Sequence, residues 1–219
     1  MGSDPPRDVV GSDPTRRIAV LISGRGSNLQ ALIDAIGDGR LRAEIGVVIS
    51  NRPDAPGLAR ARAAGIPAVT IDHRAFAARD LFERALVATL ETHRVSLVCL
   101  AGFMRLLGQT FLGAYSNAIL NVHPSLLPAF PGVNAPEQAL THGVKIAGVT
   151  VHLVTGELDG GPIVAQAAVP VQDDDTAESL AARILIEEHR IYPEAVSRVL
   201  DRGWAIEGRR FVRQQSPYV

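Results

Sequence analysis

The chain has 219 residues, 47% of them hydrophobic, with 22 Lys and Arg against 23 Asp and Glu for a formal net charge of −1. That balance argues against nucleic acid as the main partner, because binding along a phosphate backbone needs a basic excess, while small anionic ligands remain open. A single cysteine, Cys99, rules out an internal disulfide framework, and no apolar run approaches the roughly 20 residues of a membrane span. Cys99 lies in the apolar run 95–100 and reads as a buried strand residue. Residues 1–17, rich in Pro, Gly, Asp and Arg, lack the apolar centre of a secretory signal. We read 1–16 as a disordered extension, 17–219 as a single domain, and the location as cytoplasmic. A domain of this length buries about 70% of its unfolded surface, ample for a rigid site.

From Arg17 onward short β-branched runs alternate with segments of helical period. Residues 18–22 are continuously apolar, as expected of a strand covered on both faces. The loop Ser23-Gly24-Arg25-Gly26-Ser27-Asn28 follows, then a helix over 28–36 ended by Gly37. Strands at 45–50, 67–71, 95–100 and 118–122 are separated by helices at 55–64 and 76–93. This alternation predicts βαβ units and a parallel sheet. Residues 123–134 carry Pro124, Pro128, Pro131 and Gly132 and read as a long structured loop, a type that is usually functional. Two later strands, 144–154 and 162–171, are joined by the turn 155–161. A final helix over 177–200 is expected to bend near Pro193, and a strand-like stretch follows at 204–212.

The glycine loop between the first strand and first helix suits an anion, since glycine lets backbone N–H groups approach and the helix start points its own at the ligand. Ser27 and Asn28 add donors and Arg25 adds charge. It is not a dinucleotide fingerprint: position 29 is Leu where a third glycine belongs, and the second strand ends in Ser50-Asn51 without a carboxylate for a ribose diol. No Gly-Lys-Ser/Thr follows, so it is not a Walker loop. A site for one phosphate group, as on a phosphorylated sugar, is the better reading.

Asn121-Val122-His123 ends the fifth strand, and side chains two apart on a strand share a face. The pair sits where open α/β sheets place their crevice, at a strand's carboxyl end. Pro124 holds His123 extended. Glu157-Leu158-Asp159-Gly160-Gly161-Pro162 is the other unusual stretch, although a carboxylate beside two glycines and a proline is usually just a turn residue. Upstream, Thr150 and His152 share a strand face leading into it, so His123, His152 and Asp159 could gather with Asn121. Two chemistries fit such a cluster. One is a metal held by two histidines and a carboxylate. Against it, no His-x-His or His-x-x-x-His spacing occurs and Asn121 would ligate poorly. The other is attack of an amine on a carbonyl, which needs oxyanion donors and a base but no Ser or Cys nucleophile. No Gly-x-Ser-x-Gly elbow occurs, and direct transfer is the economical choice.

Four motifs, Ser23-Gly24-Arg25-Gly26-Ser27-Asn28, Ala101-Gly102-Phe103-Met104-Arg105, Asn121-Val122-His123-Pro124-Ser125-Leu126-Leu127-Pro128 and Leu158-Asp159-Gly160-Gly161-Pro162, occur in this order from about residue 17 to 200. Together they resemble the phosphoribosylglycinamide formyltransferases of purine biosynthesis and one-carbon metabolism. The resemblance implies the formyltransferase fold, α/β with an open, mostly parallel sheet flanked by helices and a Rossmann-like N-terminal half. It divides the domain into a nucleotide-phosphate half at about 17–120 and a folate and catalytic half at about 121–200. It implies catalysis by Asn121, His123 and Asp159, ribonucleotide binding by Gly26, Ser27, Asn28 and Glu188, and folate binding by Arg79, Met104, Arg105, Leu106, Leu107 and Asn121, with backbone at 154–159. Leu185 stands where some members have a polar residue near the ribose. Thr150 and His152 would stand behind the catalytic residues, with His152 serving either chemistry or packing. The implied reaction moves formyl from 10-formyltetrahydrofolate to the amine of glycinamide ribonucleotide, without metal. Its partners are these small molecules, with neither nucleic acid nor membrane. A homodimer stays open.

Related enzymes share this chemistry. Methionyl-tRNA formyltransferase carries a further C-terminal domain and tRNA contacts, and formyltetrahydrofolate hydrolase an N-terminal regulatory domain; the chain is expected to have room for neither. A non-catalytic sugar-phosphate binder would keep the loop without the triad.

Overall fold

The computed structural model describes residues 16–201 and 203–214. The expectation of a disordered extension therefore falls, but for Arg16, outside the described residues. Nine strands and six α-helices form the described chain, and the class is α/β, an open, mostly parallel sheet flanked by helices. Two compact units divide at Ile119 and Leu120.

The first unit runs β1 (Arg17–Ile22), α1 (Ser27–Gly37), β2 (Glu44–Ser50), α2 (Gly57–Ala63), β3 (Ala68–Thr70), α3 (Arg79–Thr92), β4 (Leu97–Leu100) and α4 (Gln109–Ala114), closing on the first residue of β5 (Ile119–His123). The strand order is β3-β2-β1-β4, with every pairing parallel. Ile18 to Ile22 are wholly buried, which is why that strand reads as an unbroken apolar run. The order reverses direction between β1 and β4, so a crevice is expected outside their carboxyl ends. The two loops that leave those ends are bonded together there. Ser23 N–H donates to Gly102 O at 3.1 Å, and Met104 N–H donates to Ser23 Oγ at 2.8 Å.

Two local features differ from the sequence reading. The third helix starts at Arg79 rather than 76, because His73–Ala75 turn as a single 3-10 helix capped by Asp72, whose carboxylate accepts the Arg74 N–H. Phe76 is extended and packs edge-on against Phe82, ring centroids 5.7 Å apart. Helix α4 was not foreseen: six residues are too short to display a period, and a residue distant in sequence caps it.

The second unit holds the remainder of β5, then α5 (Ala135–Thr141), β6 (Ile146–Leu153), β7 (Ile163–Pro170), α6 (Ala177–Leu200), β8 (Trp204–Glu207) and β9 (Arg210–Arg213). β6 pairs antiparallel with both β5 and β7, and β9 joins β7 in parallel at Ile163 and Arg210. The stretch read as one strand at 204–212 is a hairpin, turned at Gly208 with φ 62°. Helix α5 also escaped the sequence reading, since Pro136 looks like a breaker yet fits the first turn of a helix, where no N–H is needed. A Thr176–Ser179 capping box starts α6, which continues through Pro193 as one helix. No helix among the described residues is long and apolar enough to cross a membrane.

Candidate active site

The strand period brings Asn121 and His123 to one face of β5, and antiparallel register sets them opposite His152 and Thr150 of β6. The β6–β7 hairpin then turns through Asp159. Gly161 allows that turn, since a Cβ there would meet Leu153 O at 1.8 Å. Asp159 itself sits at φ 50°, in the left-handed region that Asp tolerates better than most residues.

A buried polar cluster results. His123 Nδ1 lies 3.6 Å from Asp159 Oδ2, and His152 Nε2 lies 3.6 Å from Asp159 Oδ1. Gly132 N–H donates to Asp159 Oδ2 at 2.8 Å, tying the carboxylate to the proline-rich loop. His123 Nε2 faces Phe130 O at 2.9 Å, a pure acceptor, so this nitrogen carries a hydrogen. His152 Nδ1 faces Leu153 O at 2.9 Å, and in the neutral ring that leaves Nε2 to accept from Asn121 Nδ2 at 3.2 Å. If the His152 ring is protonated, its Nε2 becomes a donor toward Asp159.

Burial pushes the Asp159 carboxyl up. Hydrogen bonding with His152, the Gly132 N–H and the charges of His123 and His152 outweigh it and hold the group below the usual aspartate value. The carboxylate is therefore ionised at neutral pH. Among the described residues, no group of three or more His, Cys, Asp or Glu side chains is arranged to hold a metal ion.

Thr150 bonds to the loop backbone that follows His123 and to Gln166. Its hydroxyl donates to Ser125 O at 2.7 Å and accepts from Leu127 N–H at 3.0 Å and Gln166 Nε2 at 2.9 Å. It pins the start of the proline-rich loop to β6. Glu188 is buried on α6, with Leu185 half-buried one turn earlier.

In the first unit the glycine loop forms the start of α1. Gly26 takes φ 73° as the N-cap of α1 and has no side chain to cap it, and a helix start of this kind suits an anion. A Cβ at Gly26 would come within 2.8 Å of Gly57 Cα, and Gly57 N–H donates to Gly24 O at 3.0 Å. Sequence reasoning missed Arg60, which braces the loop by donating from Nε to Arg25 O at 2.9 Å. The signal was absent, because 35 residues separate the two. Arg79, Arg105 and Leu106 line one cavity of about 170 Å³ together with His73, Phe76 and Phe82. Met104 and Leu106 are exposed, and Leu107 is half-buried beside them.

Residues 16–196 match the family model described as formyl transferase. The chain belongs to the formyl transferase family. This formyl transferase is 43% identical to the phosphoribosylglycinamide formyltransferase of Escherichia coli over 92% of either chain. It is 48% identical to a human trifunctional purine biosynthetic protein adenosine-3 over 84% of its own length. The chain spans 14% of the length of a Drosophila trifunctional relative and 18% of the human one. Among solved structures, glycinamide ribonucleotide transformylase 1 from Symbiobacterium toebii superposes with a TM-score of 0.90 at 53% identity, covering 93% of this chain and 96% of that one. The formyl transferase fold inferred from the four motifs is thus the fold observed.

Proposed function

We propose that this formyl transferase moves the formyl group of 10-formyltetrahydrofolate to the amine of glycinamide ribonucleotide, a step of purine biosynthesis. The observation that carries the reading is the cluster of Asn121, His123, His152 and Asp159, which offers oxyanion donors and an ionised base but no nucleophile. Such a set suits direct attack. The names of the E. coli and Symbiobacterium relatives support the choice of acceptor and step.

In this mechanism the acceptor amine attacks the formyl carbon and the carbonyl oxygen gains the charge. Asn121 Nδ2–H and His123 Nε2–H would stabilise it, the oxygen replacing Phe130 O on the imidazole. One such donor is worth roughly 2.7–4 kcal/mol. Asp159 holds the His123 ring through Nδ1 and accepts, through a water, the proton that the attacking nitrogen loses. Collapse breaks the bond from the formyl carbon to N10 of the folate, and N10 takes a proton. Gly26, Ser27, Asn28 and Glu188 would hold the ribonucleotide, and Arg79, Met104, Arg105, Leu106 and Leu107 the folate. His152 orients Asn121. The substrates are small molecules and the location is the cytoplasm.

Mixing the protein with donor alone and recording its intact mass tests the direct route. An unmodified mass is expected, with formyl transfer appearing only on addition of acceptor. A formyl adduct on the protein would overturn direct attack.

A further inference from the structure

The cavity lined by Arg79 and Arg105 has a buried residue behind it that the mechanism above leaves unused. Glu83 lies on α3 one turn after Arg79 and is 2% exposed. A carboxylate is rarely buried unless its oxygens are satisfied, and here each oxygen has a task. Oε1 accepts Arg79 Nε–H at 2.8 Å and Gly108 N–H at 2.6 Å, and Oε2 accepts Phe111 N–H at 3.2 Å. One side chain thus joins three things: the guanidinium of Arg79, the end of the loop that carries residues 103–107, and the first turn of α4.

Gly108 completes the device. A Cβ at that position would stand 2.9 Å from Glu83 Oε1 and 3.2 Å from both Cζ and Nε of Arg79. The guanidinium therefore lies against bare backbone, and any side chain at 108 would press on it and on the carboxylate. With Nε committed to Glu83, the two terminal nitrogens of Arg79 have no protein hydrogen-bond partner among the described residues. They are the donors left for a ligand in the cavity.

We propose that Glu83 is a positioning residue for the formyl donor, fixing the Arg79 guanidinium and the adjoining loop in binding geometry without touching the donor. This rests on the reading of that cavity as the folate side. The physical basis is preorganisation: an arginine on an exposed helix face has many rotamers, and a charge-assisted bond to a buried carboxylate selects one before the ligand arrives. The donor's carboxylate-bearing tail is the chemistry that two guanidiniums would recognise.

Steady-state kinetics on Glu83→Gln, Arg79→Ala and the double variant test this, with thermal melting alongside. The amide retains the side-chain shape but loses the charge. Donor KM is expected to rise about tenfold, in line with losing one charge-assisted hydrogen bond, with kcat and ribonucleotide KM within about twofold of wild type, the range of a minor perturbation. The double variant should be no worse than Arg79→Ala alone, because the two changes remove one interaction. Gly108→Ala gives a second route, keeping both side chains but pressing on Glu83 Oε1 and Arg79 together, and should raise donor KM alike. Additive effects in the double variant, or equal losses for both substrates, would make Glu83 merely structural and overturn the inference. A wild-type protein without transfer from 10-formyltetrahydrofolate would instead sink the functional reading on which it rests.

Discussion

Asp159 Oδ2 stands 3.6 Å from His123 Nδ1 and accepts the Gly132 N–H at 2.8 Å, so a single oxygen joins the imidazole to the proline-rich loop. Removing its charge while retaining its shape isolates its chemical role. Asp159→Asn keeps a residue type that accepts φ 50°. Turnover is expected to fall by about 10²–10⁴, the worth of a positioned acid or base. Ribonucleotide affinity, measured by calorimetry, should change little. Near wild-type turnover would remove Asp159 from the mechanism.

The pH dependence of stability has a definite sign. The Asp159 carboxyl titrates below its ordinary value of 3.8 in the folded protein, so the ionised form is favoured by folding. Its contribution is fully present above the unfolded value and is lost as pH falls through the lower, folded one. The gap in Tm between wild type and Asp159→Asn should narrow as pH falls below about 4. A gap that widens on acidification would show that the folded protein favours the protonated carboxyl.

Gly26 tests the anion cradle. It adopts φ 73°, and an added Cβ would stand 2.8 Å from Gly57 Cα, so Gly26→Ala must shift backbone on one side or the other. The left-handed conformation alone costs about 1–2 kcal/mol for a non-glycine residue. We expect a lower Tm and a raised KM for the ribonucleotide, with donor KM nearly unchanged. Equal rises in both KM values would argue against a phosphate role for this loop.

What could be read in the residues depended on sequence distance. Asn121 and His123 are two apart on a strand, so period alone set them on one face, and β1 announced itself as a buried apolar run. Asp159 reads as little better than a turn residue, because its approach to His123 requires the antiparallel register of β5, β6 and β7. The four-motif resemblance supplied what geometry could not. Thr150 was placed on the right face, but which neighbour its hydroxyl would choose, loop backbone or histidine, depends on a loop path no local pattern encodes. Arg60 gave no signal, and Glu83 only its four-residue spacing from Arg79. Their loop partners are backbone groups far along the chain, and any residue type can offer those. Helix α4, six residues long, takes such a contact from Glu83, and α5, seven residues long, is likewise too short to show a period.

The central claim is direct, acceptor-dependent formyl transfer built on Asn121, His123 and Asp159. Its most direct test follows the absorbance of the tetrahydrofolate product when purified protein meets 10-formyltetrahydrofolate, with and without glycinamide ribonucleotide, in EDTA. The account predicts product only with the ribonucleotide present, at a rate that EDTA leaves unchanged. Release of the formyl group at the same rate without the acceptor would contradict it.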